Sequence, residues 1–176
     1  MHILDTTGVE VALETGTYEC SGVVADDDGR LWRGYKLATL RTLLDTAGII
    51  TAVAVGPVHR HDHVLCAPLL SESSVLRAGD LLVMDRGLLD GATISDLKRR
   101  REVDVIVPLR SDMHSYQAAV KLAERANQWQ PHPTRSEQQI AFVPGVEHVW
   151  DECQVRLNAC VIRFYNKKSE RSITSS

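Results

Sequence analysis

The segment Gly79-Asp80-Leu81-Leu82-Val83-Met84-Asp85 constrains the fold of this chain more than any other. Its apolar run is unbroken, as expected of a strand buried on both faces in the middle of a sheet, and it ends on a carboxylate. From Ser95 the apolar spacing becomes helical through Arg101, and Val103-Asp104-Val105-Ile106-Val107-Pro108-Leu109 is a second apolar strand stopped by Pro108. Strand, helix and strand in that order form a crossover unit, which pairs its two strands in parallel.

The residues before this unit lack helical spacing until Asp62. His2-Ile3-Leu4-Asp5 is the end of a short buried strand, and Val9, Val11 and Leu13 alternate with Glu10, Ala12 and Glu14 as in a strand or hairpin arm. Residues 35–44 and 49–55 are two β-prone stretches joined by Asp45-Thr46-Ala47-Gly48, the pattern of a hairpin. Asp26-Asp27-Asp28-Gly29 ends in a pair favoured by tight turns and reads as an exposed loop. A helix is predicted from Asp62 to about Leu70, with Asp62 as its N-cap and Pro68 limiting or bending it. Three antiparallel strands, a helix and then a βαβ unit fit an α/β fold with a ribonuclease-H-like mixed sheet, in which the first strand lies beside the fourth. A doubly wound sheet would need helices between the early strands.

Beyond this core an amphipathic helix is predicted over 112–126 through Tyr116, Ala119, Val120, Ala123 and Ala126, and Pro131 and Pro133 mark a linker. Ile140–Val143 and Val155–Phe164 read as strands of an appended β-rich segment, and Lys167–Ser176 is a polar tail. The expected division is therefore 1–110 as the core, 111–166 as helix plus β-rich segment, and 167–176 as tail.

Composition narrows the function. A hydrophobic share of 44% in 176 residues is enough for a packed core. No stretch approaches the roughly 18 apolar residues of a membrane helix, and the first residues lack a signal peptide, so the cytoplasm is the expected compartment. Cys20, Cys66, Cys153 and Cys160 show no paired spacing and are expected as reduced thiols. A net charge of −3 is low for a domain that grips DNA by its phosphates. The basic run Lys98-Arg99-Arg100-Arg101 is the exception, either a solvated helix end or a phosphate contact.

Asp5 and Asp85 each end an apolar strand, and in the expected sheet those strands are parallel neighbours. A strand-end aspartate is ordinarily a turn former, but two on adjacent strands suit a divalent cation, which takes hard oxygen ligands. Leu4-Asp5-Thr6-Thr7 and Gly79-Asp80-Leu81-Leu82-Val83-Met84-Asp85-Arg86-Gly87 resemble the first and second acid motifs of DDE transposases from bacterial insertion sequences. The resemblance runs from about Leu4 to Arg110, and more loosely through the β-rich insertion that such cores carry, which residues 140–165 resemble. It implies a catalytic core that binds DNA and two Mg²⁺ or Mn²⁺ ions, cleaves the phosphodiester at the element's end and transfers the freed 3′-hydroxyl to target DNA. By the same resemblance Asp5 and Asp85 are metal ligands, Arg86 lies near the DNA backbone, and the partners are transposon ends, target DNA and a second copy of the chain; the basic run adds Lys98, Arg99 and Arg100 as candidate DNA contacts by their charge. The family often carries an Asp after the third strand, so Asp62 positions the following helix or approaches the metal.

Departures from the family pattern shape the remaining expectations. Leu88 stands where an aromatic residue usually follows the second motif. The third acid belongs to a Tyr-x-x-Arg-x-x-x-Glu helix, and no such spacing occurs: Tyr165 is followed by Lys168, and Glu170, Glu152 and Glu147 lack the pattern. No third catalytic Glu is found, and the chain reads as truncated, with an inactive remnant or an interfering partner of full-length transposase as the alternative. An aspartyl-phosphate hydrolase built on Asp5 would need an acid two residues on, where Thr7 stands. His59-Arg60-His61-Asp62-His63 has metal-compatible alternation but reads as a satisfied loop cluster.

Overall fold

The computed structural model describes residues 1–12, 18–44, 47–72, 74–88, 90–146 and 152–164. Glu147, Tyr165, Glu170, the polar tail and the Asp45-Thr46 turn lie outside the described residues. The chain divides into two units, Met1–Pro108 and Leu109–Ser176.

In the first unit, β1 (His2–Val11) is one continuous strand where two shorter arms are predicted. Gly8 does not turn the chain, because it pairs with Lys36 and lies beneath Trp32, whose Cη2 is 2.8 Å from the position a Cβ would take. β2 (Gly22–Ala25), absent from the prediction, pairs with the start of β3 (Leu31–Leu44), and β4 (Ala47–Pro57) forms the predicted hairpin with the rest of β3. α1 (Asp62–Glu72) has Asp62 as its first residue instead of the predicted N-cap, with the carboxylate taken by Lys36 and the Leu65 N–H on His61 O, and it continues past Pro68. β5 (Leu81–Met84), a 3-10 turn (Arg86–Leu88), α2 (Gly91–Arg100) and β6 (Asp104–Ile106) complete the unit. α2 starts four residues before Ser95 because Asp90 caps it, accepting the Thr93 N–H at 2.8 Å.

The strand order is β2-β3-β1-β5-β6, with β4 also on β3. β3 runs antiparallel to β1, whereas β5 is parallel to both β1 and β6. This is the predicted arrangement of an antiparallel meander followed by a crossover, with the first strand beside the first strand of the βαβ unit. It is a mixed α/β sheet.

Burial follows the pleat. Leu4, Leu40 and Leu82 are almost fully buried, as are Ala38 and Met84 at alternate positions of the same strands, and α1 and α2 contribute Leu65, Cys66, Leu69, Ile94 and Leu97. Ile3, Thr39 and Val83, on the opposite side of the pleat, keep partial exposure, and Val53 and Val55 of β4 are exposed. At the amino end of β1, buried His2 joins Thr42 Oγ1 at 3.0 Å to Asp80 Oδ2 at 3.0 Å, which ties β3, β1 and the approach to β5 together.

In the second unit, α3 (His114–Ala126) ends at Asn127, in the left-handed region at φ 47°, with its N–H donated to Ala123 O. β7 (Gln130–Pro131), in the stretch read as a linker, adds to β8 (Gln138–Val146) and β9 (Leu157–Phe164), the two predicted strands, in an antiparallel sheet. Ala119 and Ala123 of α3 pack on Ala141, Val143, Val146 and Val161, while Phe142, Ile162 and Phe164 remain exposed. The Arg163 guanidinium lies 3.9 Å from the Trp129 ring centre and donates to Gln139 Oε1. Among the described residues no helix is long and apolar enough to cross a membrane.

Candidate active site

The register of β1 and β5 brings the two predicted acids together. His2, Ile3 and Leu4 pair with Leu82, Val83 and Met84, so the next residue of each strand is an aspartate, Asp5 on one and Asp85 on the other. Neighbouring strands lie about 4.8 Å apart, which places the two backbones side by side just past the carboxyl end of β5 and partway along β1, which runs on to Val11. Both side chains are exposed. Their local geometry also matches: the Thr6 N–H donates to Asp5 Oδ1 at 2.8 Å and the Arg86 N–H donates to Asp85 Oδ1 at 2.7 Å. Each carboxylate is thereby oriented through one oxygen, and among the described residues the other oxygen has no protein partner.

After Asp85 the chain turns through Arg86, Gly87 and Leu88, closed by the Leu88 N–H on Asp85 O at 3.0 Å. Leu88 is buried, while Arg86 is exposed.

Asp62 belongs to the same end of the sheet but reaches it from the helical side. Lys36 shares the pleat parity of buried Ala38 and Leu40, and its strand neighbours are Gly8 and Gly56, which leave its side chain room. Its ammonium donates to Asp62 Oδ1 at 2.6 Å and to Arg60 O at 2.8 Å. The other oxygen, Asp62 Oδ2, would lie 3.1 Å from a Cβ at Gly87. Cys66, one helical turn on, is buried, and its thiol is pushed up to about 12 by burial and by the negative charges of Asp62 and Asp5. It therefore stays protonated at neutral pH and is no nucleophile. Sequence reasoning did not single out Lys36. The available signal was a cation within an apolar, β-prone stretch, and recognising its partner required the pairing of β3 with two glycines.

The basic run lies elsewhere. α2 starts near the Asp85 turn and carries Lys98, Arg99 and Arg100 in its last turn, roughly 10–14 Å along the helix from its start. Lys98 pairs with Asp104, and Arg100 meets Asp96 at 3.2 Å, both at the surface. The histidines of the 59–63 segment surround the turn into α1, and among the described residues no group of three or more His, Cys, Asp or Glu is gathered to hold a metal ion. Glu152, the one described candidate for a third acid, belongs to the second unit.

A family model described as the transposase DDE domain matches residues 3–171. No curated protein and no solved structure matches the chain. The family match begins just before Asp5, takes in Asp85 and extends through the β-rich segment of the second unit, in agreement with the motif resemblance and beyond its tighter part. With nearly the whole sequence covered, this chain belongs to the transposase DDE domain family.

Proposed function

We propose that Asp5 and Asp85 are the metal-binding carboxylates of a transposase that cleaves and rejoins DNA phosphodiesters. The observation that carries this reading is the strand register, which makes the two aspartates equivalent positions on adjacent parallel strands. Two exposed carboxylates, each held by its own following N–H, form a hard oxygen donor set suited to Mg²⁺ or Mn²⁺. Such ions, when bound, activate the attacking oxygen and stabilise the leaving one in an in-line displacement.

The protein residues have separate parts. The Thr6 and Arg86 N–H groups fix the direction of the two carboxylates before substrate arrives, so less reorganisation is needed when the phosphate enters. Arg86, exposed beside Asp85, is placed to donate to phosphate oxygens flanking the reacting one. Lys98, Arg99 and Arg100 reach DNA only about a helix length away, and so contact backbone outside the cleavage point. Cleavage frees a 3′-hydroxyl, which serves as the nucleophile on target DNA.

The test is nicking of supercoiled plasmid by the purified chain in Mg²⁺ or Mn²⁺. Asp5→Asn and Asp85→Asn are each expected to lower the rate at least about a hundredfold, since removing a metal ligand displaces the charge that the transition state needs. Nicking that survives both substitutions would assign the chemistry to other residues. If the well-folded chain does not nick, the reading of this chain as an active enzyme fails.

A further inference from the structure

We infer that the Lys36–Asp62 ion pair is the support on which the Asp85-Arg86-Gly87 turn rests, making Lys36 and Asp62 positioning residues for Asp85. The inference rests on the metal-site reading above for its chemical consequence, but its structural content is independent. Lys36 Nζ holds Asp62 Oδ1 at 2.6 Å and also takes up Arg60 O, so the carboxylate is fixed at the start of α1 by a cation anchored in β3. The pair is partly sheltered, with side-chain exposures of 21% and 27%, which lessens the competition from water that weakens surface pairs. Asp62 Oδ2 then faces Gly87, and a Cβ there would lie only 3.1 Å from it. The glycine is what allows the carboxylate to approach the turn.

The direction of approach separates this role from ligation. By the pleat, Asp5 shares the side of Ile3, opposite buried Leu4, whereas Lys36 is on the covered side with Ala38 and Leu40. Asp62, bound to Lys36, therefore contacts the Asp85 turn from beneath. One of its oxygens accepts from an ammonium and the other faces Gly87 of the turn, an arrangement we read as an outer support rather than a third metal ligand.

Mn²⁺ binding to the full chain, followed by electron paramagnetic resonance, provides one readout, and hydrogen exchange at the Leu88 amide, which closes the turn, provides another. Asp85→Asn is expected to abolish specific Mn²⁺ binding. Asp62→Asn and Lys36→Met should retain it with affinity about tenfold lower, the range of an outer partner, and should speed exchange at Leu88. Gly87→Ala should act like Asp62→Asn, but adding it to Asp62→Ala should bring little further loss, because the carboxylate it crowds is gone. Loss of Mn²⁺ binding in Asp62→Asn as complete as in Asp85→Asn would make Asp62 a ligand and overturn the inference. Additive losses for Asp62→Ala and Gly87→Ala, or unchanged Leu88 exchange in Asp62→Asn and Lys36→Met, would also overturn it. If the unaltered chain binds no Mn²⁺, the metal-site reading fails, and the Leu88 exchange alone decides whether the support exists.

Discussion

The two units solve the packing of helix on sheet in different ways. In Met1–Pro108 the covered side of the sheet is filled by large aliphatic residues, with Leu4 directly opposite Leu40 and both nearly inaccessible. In the second unit the contact is made by small residues: Ala119 and Ala123 of α3 against Ala141, Val143 and Val161. Large side chains interdigitate and leave cavities when removed; small ones permit close approach and resist enlargement. The first unit carries Asp5 within β1 and Asp85 just after β5, both next to deeply buried Leu4 and Met84. The second has a shallow core and exposes Phe142, Ile162 and Phe164 on the opposite strand positions. The two candidate acids thus stand beside the deeper of the two cores.

Three measurements bear on this contrast. Leu40→Ala should cost about 2–5 kcal/mol in denaturant unfolding, the range for a deep aliphatic truncation. A loss below about 1 kcal/mol would mean that the first core collapses around the gap more readily than its burial implies. Ala123→Leu should cost about 1–3 kcal/mol by overpacking the α3 contact, and a neutral result would refute the close-approach account of the second unit. The smallest effect concerns acid. The Arg77 N–H first, and then His2, hold the Asp80 carboxyl below its ordinary value of 3.8, against burial that pushes it up. Because the folded value is the lower one, this stabilisation is present above 3.8 and is lost as pH falls through the folded value. Unfolding followed from neutral pH into that acid range should show a shallower decline for Asp80→Asn than for the unaltered chain. Parallel declines would remove Asp80 from the account.

Much of the first unit was legible because its apolar runs end at informative residues. The strand ending at Asp85, the β3–β4 hairpin, the Asp62 helix start and the parallel pairing all followed from period and punctuation. The errors have a common physical origin in contacts distant along the chain. Thr6-Thr7-Gly8 resembles a break, yet β1 continues because Trp32 covers Gly8 from β3. β2 is only four residues long and is held by its pairing to β3, which local pattern does not reveal. β6, read as a buried strand ended by Pro108, pairs only over Asp104–Ile106, and Ile106 is exposed. The site shows the same division: Asp85 was visible as the end of an apolar strand, whereas Asp5, read as a strand end, lies within β1 and pairs with Thr39, and the Lys36–Asp62–Gly87 arrangement needed three segments brought together.

The pairing of β1 with β5 has a consequence for how sequences of this kind can change in length. Residues may be gained or lost in the turns and in the ends of helices between the two strands without disturbing the acids, since those changes do not enter the ladder. A single residue gained or lost inside either strand is different: it would move one aspartate by about 3.3 Å and turn it to the other face. Indel tolerance should therefore fall sharply within His2–Asp5 and Leu81–Asp85, whatever the number of residues separating them elsewhere.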